Sequence, residues 1–372
     1  MRAERALGAA EVEAIEPAQN PSLVLTHQQT LHGPTDRETV VGVELPFSIS
    51  GRRGVLRDAA RARQHAIDAR ARIDLFETAL DFREAFALAV VEHERSMVMA
   101  QQQKSLEALA RALEQLTARG EIAQYDVARH RAEVRLHARA LASARARAGA
   151  AHRRLSRWLG EPMQAPPSTA ALARTRLVPE QITQHPKLAM LRETSRAAGL
   201  ESAAARRRWI PDPGVFAGYR QVASGAETGH GVSVGLQFPL TISEHGQGAS
   251  SRARAEQQLA DAHASRLERE LAQELSVAVA SLRALEAALE QAEAGVADTE
   301  RLEQSAAALY SAGEASITEL LDAYRTRENA ALDRLVALEE LLAARLAVMR
   351  AAGKQFEPEL DAICGSQKEQ VR

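Results

Sequence analysis

The sequence predicts a mainly α-helical chain with a membrane β-barrel contribution, built as two tandem repeats of strand, strand and long helical hairpin. Three observations predict it. First, the chain matches itself. Gly42-Val43-Glu44-Leu45-Pro46-Phe47 repeats as Gly235-Leu236-Gln237-Phe238-Pro239-Leu240, and Leu116, Gly120, Glu121 and Asp126 repeat as Leu309, Gly313, Glu314 and Glu319, all at one offset of 193 residues. Pro21 finds Pro213 at 192. Second, alanine is the commonest residue and aromatics make up only 3%, with 45% hydrophobic and 26% charged residues. That is the composition of long packed helices, and it is short of the bulky side chains that a large compact enzyme core needs. Third, two pairs of short segments alternate apolar with polar residues, as strands between two different environments do.

In chain order, Met1–Gln19 reads as a charged amphipathic stretch, helical at least as far as Glu16. It has no apolar central region of the kind a secretory signal carries. Ser22–Leu31 and Thr39–Phe47 read as strands around a turn rich in Gly, Pro and Asp. Val41, Val43, Leu45 and Phe47 take one face of the second strand, and Gly42, Glu44 and Pro46 the other. Between Gly51 and Ala118 no proline interrupts the chain, enough for a helix of ~100 Å at ~1.5 Å per residue. Ile73, Phe76 and Leu80, then Leu106, Leu109, Leu113 and Leu116, follow the 3-4 spacing of a coiled-coil seam. Arg119-Gly120-Glu121 reverses the chain, with Gly120 as a helix C-cap, and Asp126 falls in the first turn of the returning helix, where the helix dipole favours negative charge.

Residues 161–179, with Pro162, Pro166, Pro167 and Pro179, form a linker between the first repeat, 1–160, and the second, 180–353. The second repeat opens on a helix from about Pro186 to Trp209. Strands at Val215–Val222 and Gly231–Phe238 then flank the turn SGAETGH. Leu282, Leu285, Leu289, Ala292 and Val296 restore the seam, Ala312-Gly313-Glu314 makes the second reversal, and 354–372 is a polar tail. Each repeat thus supplies two strands, four in all. Four strands with one apolar face cannot stand alone in lipid, because their edges leave backbone groups unpaired. Closure with further copies into a barrel, continued by a helical tube, satisfies strands and helices together.

The charge balance of 47 basic and 49 acidic residues gives no reason to expect nucleic acid as partner. The single cysteine, Cys364, excludes an internal disulfide framework. No nucleophile elbow, phosphate-cradling loop or metal-ligand spacing appears, so neither an enzyme, a cofactor nor a metal site is expected. His130 and His137 lie seven apart on one helix face, and the eleven histidines read as scattered surface residues. Arg206-Arg207-Arg208 before Trp209 reads as an interfacial belt at a barrel rim, and Trp158 as helix packing.

The residues resemble the TolC family of outer-membrane efflux proteins over nearly the whole chain. The resemblance rests on the Asn20-Pro21 strand entry, the Gly42–Phe47 and Gly235–Leu240 strand ends, Gly51-Arg52-Arg53, Leu159-Gly160-Glu161-Pro162, and above all on the run Leu309–Ala323, LYSAGEASITELLDA. Gly51-Arg52-Arg53 and Leu159–Pro162 look most like the heavy-metal cation branch. The resemblance implies a homotrimer with one twelve-stranded barrel in the outer membrane and an α-helical tunnel in the periplasm. It implies docking onto a periplasmic adaptor and an inner-membrane pump, and passive export of drugs or metal cations. Gly120, Glu121, Gly313 and Glu314 become candidate adaptor-docking tips. Asp126, Tyr310, Glu319 and Asp322 become candidate aperture residues, an acidic ring when repeated in three copies. The family's aperture arginine has Ala315 in its place here. At the same offset Met1 corresponds to Thr194, so the chain is expected to begin partway through the family's first helix, with the rest of that helix and an export signal encoded upstream. Two other classes remain: a soluble coiled-coil scaffold in the cytosol, and a nonfunctional remnant of an efflux protein. The first leaves the recurring strand pairs unexplained.

Overall fold

In the computed structural model, residues 2–15, 20–30, 36–120, 122–160 and 185–353 are described. The linker, the polar tail with Cys364, and Glu121 lie outside them. The elements are α1 (Arg2–Ile15), β1 (Ser22–Gln29), β2 (Asp36–Pro46), α2 (Arg52–Ala118), α3 (Gln124–Leu159), α4 (Pro186–Arg206), a 3-10 turn (Arg207–Trp209), β3 (Gly214–Ser224), β4 (Glu227–Gln237), α5 (Gln247–Ser311) and α6 (Ile317–Ala352). The order of strands and helices is the one the sequence predicts, and α2 and α5 run 67 and 65 residues. The chain divides into two compact units, one of 1–73 with 184–269 and one of 74–183 with 270–372. Each unit draws on both repeats.

The first unit holds the sheet. Its four strands are antiparallel in the order β1-β2-β3-β4, so β1 and β4 are its edges. The register sorts side chains into level rows across all four strands. On one face the rows are Leu25-Val41-Tyr219-Val232, then Leu23-Val43-Ala217-Val234, then Leu45-Val215-Leu236. Every member is apolar, and most lie open, with Val232 81% and Leu23 76% exposed. The next row beyond Tyr219 is His27-Thr39-Gln221-His230, where the face turns polar at one level. On the opposite face the rows are Val24-Gly42-Gly218-Ser233 and Thr26-Val40-Arg220-Gly231, largely polar or small, with Arg220 paired to Glu38 at 2.8 Å.

Two glycines on that second face are needed for space. A Cβ on Gly42 would lie 2.5 Å from the Phe216 ring, and one on Gly218 would lie 2.8 Å from it. Phe216 lies over the glycine pair and fills the gap they leave. The β3–β4 turn is tighter than the sequence suggests. Ser224 pairs with Glu227 across Gly225-Ala226, and Gly225 has φ +56° while no non-glycine residue among those described has positive φ. Glycine at the first of two central positions is the type II′ arrangement that matches strand twist. Backbone pairing therefore continues above the apolar rows into residues that, by pattern, look like loop.

The helices of the first unit pack through alanine. Ala59, Ala60, Ala62, Ala197, Ala204 and Ala253 are buried. Ser202 hydrogen-bonds to Ser250 at 3.2 Å, and the Ser195 hydroxyl donates to Asp261 at 2.6 Å. Small side chains let these helices approach closely, as the composition implies. Pro186 opens α4, and the His185 ring accepts the Lys187 N–H at 3.1 Å as its cap.

In the second unit α2 and α6 lie in the middle. Phe76 and Leu80 of α2 pack on Leu346 and Met349 of α6. On one side Ala85 and Ala89 of α2 meet Ala151 and Leu155 of α3. On the other, Leu282 and Leu289 of α5 join Leu335, Leu338, Leu341 and Val348 of α6 with Val91 of α2. The predicted seam residues Leu106, Leu109 and Leu113 are buried. Trp158 packs edge-on against Phe82 at 6.4 Å, the packing role the sequence gives it.

Candidate functional site at the helical-hairpin tips

Both reversals are built by the same local chemistry. After α5, Gly313 takes φ +77° and closes a Schellman turn. Its N–H donates to the Tyr310 carbonyl at 3.0 Å, and the Glu314 N–H to the Leu309 carbonyl at 2.9 Å. After α2, Gly120 takes φ +78° and donates to the Thr117 carbonyl at 2.9 Å. A Cβ on either glycine would meet nothing within 4 Å. These glycines are there for backbone conformation, and what surrounds them is open surface. Glu314 is exposed. Glu121 lies outside the described residues.

Beneath the turns a shared core ties the two tips to one end of the unit. Leu106, Leu109, Leu113, Val127, Leu320 and Leu321 are buried, with Ile122, Tyr310, Ile317 and Tyr324 packed around them. Tyr310 is half-buried, and that burial pushes its hydroxyl pKa up. Asp126 sits in the first turn of α3, and Glu319 in the first turn of α6, as expected. Asp126 is half-buried, whereas Glu319 and Asp322 are exposed. No hydrogen bond or ion pair joins Asp126, Tyr310, Glu319 and Asp322 to one another among the described residues.

Glu319 has a local task that charge alone does not suggest. Ser316 is the N-cap of α6, and its hydroxyl accepts the Glu319 N–H at 3.3 Å while the Glu319 carboxylate accepts the Ser316 N–H at 2.6 Å. This is a capping box. The bond from the Ser316 backbone, then that from its hydroxyl, holds the Glu319 carboxyl below its ordinary value. The signal is present in Ser316-Ile317-Thr318-Glu319, serine followed three residues later by glutamate. The equivalent first-repeat position is Ala123, which makes no side-chain cap. Ser316→Ala is therefore expected to destabilise the start of α6 by ~1 kcal/mol, and Ala123→Ser to stabilise α3. Amide exchange over 317–320 and 124–127 reads both. The Glu319 half of the box is present while its carboxyl is ionised and is lost as pH falls through the lowered pKa.

Two histidines need correction. His130 and His137, expected at the surface, are in the helix interior. His130 is 1% exposed, and its Nε2 meets the Leu106 carbonyl at 2.8 Å. His137 bonds Gln103 Oε1 at 2.8 Å and Glu328 Oε1 at 2.7 Å, linking α3 to α2 and α6. They occupy seam positions with Val127, Val134 and Leu141, a spacing readable in the sequence. Glu92 is likewise buried, paired with Arg95 and, at 3.4 Å, with Arg147. Among the described residues no group of three or more His, Cys, Asp or Glu is placed to hold a metal ion, and no helix is long and apolar enough to cross a membrane.

The fold has counterparts among known proteins. Residues 177–354 match the family model described as outer membrane efflux protein. Comparison with curated proteins finds no match. Among solved structures, the chain is similar to CusC, studied for folding and transmembrane channel formation, with a TM-score of 0.72 at 16% identity, covering 95% of this chain and 87% of that one. It is similar to the outer membrane protein VceC from Vibrio cholerae, with a TM-score of 0.69 at 16% identity, covering 96% and 91%. It is also similar to the Campylobacter jejuni CmeC outer membrane channel, with a TM-score of 0.68 at 14% identity, covering 98% and 84%. Residues 177–354 thus match the outer membrane efflux protein family, within a chain that has the fold of the outer-membrane efflux channels.

Proposed function

We propose that the chain is the outer-membrane channel subunit of a tripartite efflux system, a passive exit duct for drugs or metal cations. The observation that carries this is the sheet: an open four-stranded ladder with unpaired edges at β1 and β4 and one continuous apolar face. An isolated soluble sheet of this kind is an aggregation hazard. Pairing β1 of one copy with β4 of the next removes the edges and turns the apolar rows outward to lipid. Three copies give twelve strands around a polar lumen that Arg220, Glu38 and the glycines line. The apolar rows, ending at Phe47 and Phe238, extend ~20 Å along the strands at ~3.3 Å per residue. Trp209, Leu240 and Ile242 are exposed at the helix end of the sheet, with the Trp209 carbonyl accepting the Thr241 hydroxyl at 3.2 Å. There, with Arg206 to Arg208, they suit an interfacial belt.

In this assembly the tips form the periplasmic mouth. Gly120, Glu121, Gly313 and Glu314 meet the adaptor through backbone and small side chains, and the adaptor links the duct to an inner-membrane pump. Asp126, Tyr310, Glu319 and Asp322 line the aperture, where Glu319 and Asp322, on one helical face, concentrate cations. Energy comes from the pump, and the duct performs no catalysis. Purified chain in detergent is expected to be trimeric and to conduct ions in a planar bilayer. A monomer without conductance would refute the reading. In the same recordings, Glu319→Gln with Asp322→Asn is expected to lower the preference for cations, Gln retaining the cap. An unchanged cation preference removes the acidic ring.

A further inference from the structure

The first unit holds a cavity of about 370 Å³ where α1, α2, α4 and α5 converge. Its charged lining is unbalanced, with Arg52, Arg63, Arg208 and Arg252 against Glu201 and Glu256. Both glutamates are already engaged. Glu201 pairs with Arg63 across α4 and α2, and Glu256 with Arg252 at 2.9 Å along α5. Arg208 turns to Glu244 at 3.2 Å, outside the lining. Arg52 is left over. Its side chain forms no hydrogen bond or ion pair among the described residues, and its Nε is buried without an acceptor. A donor of a charged group that has lost water and gained no partner is costly. The backbone adds to the positive field. Arg52 opens α2, and Ala249 and Arg252 stand near the start of α5. Neither helix has an acidic residue in its first turn, although the positive end of the helix dipole favours one. Arg52 and Arg53 take the first turn of α2 instead, an unfavourable placement unless an anion is bound beside them.

We propose that this cavity binds a phosphate group, with the Arg52 guanidinium as its main ligand and the starts of α2 and α5 behind it. The planar fork of a guanidinium matches phosphate oxygens two at a time, which a neutral or cationic ligand does not exploit. Free phosphate and a phospholipid headgroup both present that group. The apolar part of the lining, Ile15 and Leu56 with three alanines of the neighbouring helices, favours the headgroup, because a bare ion leaves it uncovered. So does its place in the chain. Pro46 ends β2 shortly before Arg52 opens α2, and Arg208 adjoins the exposed Trp209. The lipid source rests on the channel reading, which sets this end of the sheet among the periplasmic headgroups. The phosphate site itself does not.

The test is calorimetric titration of purified full-length protein in detergent at fixed salt, with blank titrations into detergent subtracted. The probes are inorganic phosphate, dihexanoylphosphatidylglycerol below its micelle concentration, and dihexanoylglycerol, which has the same tails and no phosphate. The phospholipid is expected to bind, inorganic phosphate to compete with it at least about tenfold more weakly, and dihexanoylglycerol not to bind. Arg52→Gln is expected to weaken both phosphate ligands at least about tenfold, with helicity unchanged by circular dichroism. Arg52→Lys, which keeps the charge and loses the fork, is expected to fall between Arg52→Gln and wild type, and it carries the test if Arg52→Gln does not fold. Arg53→Gln, outside the lining, is expected to bind like wild type. The site is overturned if neither phosphate ligand binds wild type, if the folded Arg52 variants bind as well as wild type, if Arg53→Gln weakens binding equally, or if dihexanoylglycerol matches the phospholipid. Inorganic phosphate binding as tightly as the phospholipid upholds the site and overturns its lipid source. Oligomer mass and bilayer conductance of the same protein test the channel reading separately. A conducting trimer without phosphate binding overturns the site alone, and a phosphate-binding monomer without conductance overturns the channel and the lipid source together.

Discussion

Gly246→Ala is expected to destabilise the sheet-bearing unit by roughly 2–5 kcal/mol, from left-handed backbone strain and overpacking together. Gly246 sits at the start of α5 with φ +89°, and the Ser250 N–H donates to its carbonyl at 2.8 Å. A Cβ there would lie 2.1 Å from the Ala205 carbonyl oxygen and 3.1 Å from Arg208 Cβ. The nearest obstacle is backbone near the end of α4, so no side-chain rotation relieves it. Either α4 separates from α5, or Gly246 leaves the conformation that starts the helix. Two controls have the opposite sign. Gly248 and Gly295 lie in α5, and a Cβ added to either would meet nothing within 4 Å. Alanine at either is expected to stabilise by ~0.5–1 kcal/mol, because helical glycine loses more backbone entropy than alanine. Denaturant midpoints of the three variants, followed by helicity, rank them. A Gly246→Ala midpoint equal to wild type would show that α4 and α5 do not meet as described.

That contact illustrates what a sequence can and cannot display. The long helices are legible because proline is absent from them and their apolar residues keep 3-4 spacing. The tips are legible because glycine is the residue that takes positive φ without strain, and Gly120 and Gly313 both do so. Strand alternation marks the apolar face, but the register that aligns Leu23, Val43, Ala217 and Val234 in one row is a property of pairing between distant segments. Polar strand ends such as Glu227–His230 look like turn because pattern follows side chains, whereas the ladder is held by backbone. His130 and His137 look like surface groups by residue type. Their seam spacing is the better guide, since each finds a partner inside. The Ser316–Glu319 cap is plain in the sequence, yet the charge of Glu319 draws the eye to a pore before a helix end.

Val234→Arg tests the sheet face itself, and here two readings give opposite signs. Val234 stands in the middle apolar row and is 72% exposed in the chain. Were that face in water, arginine would replace an exposed apolar side chain with a soluble one and cost nothing. Facing lipid, an arginine near the bilayer midplane costs about 2–4 kcal/mol in each copy. Three copies in one barrel multiply that penalty. The variant is expected to lose most of its insertion into liposomes while its helicity is unchanged. Ser233→Arg, one residue away and on the other face beside Gly218, is the control. In a polar lumen it meets water and is expected to insert like wild type, with altered conductance. Equal insertion of Val234→Arg and wild type would mean that the apolar rows do not face lipid. The contrast between adjacent residues is decisive because a strand sends neighbouring side chains to opposite faces, so only a sheet dividing lipid from water separates the two substitutions.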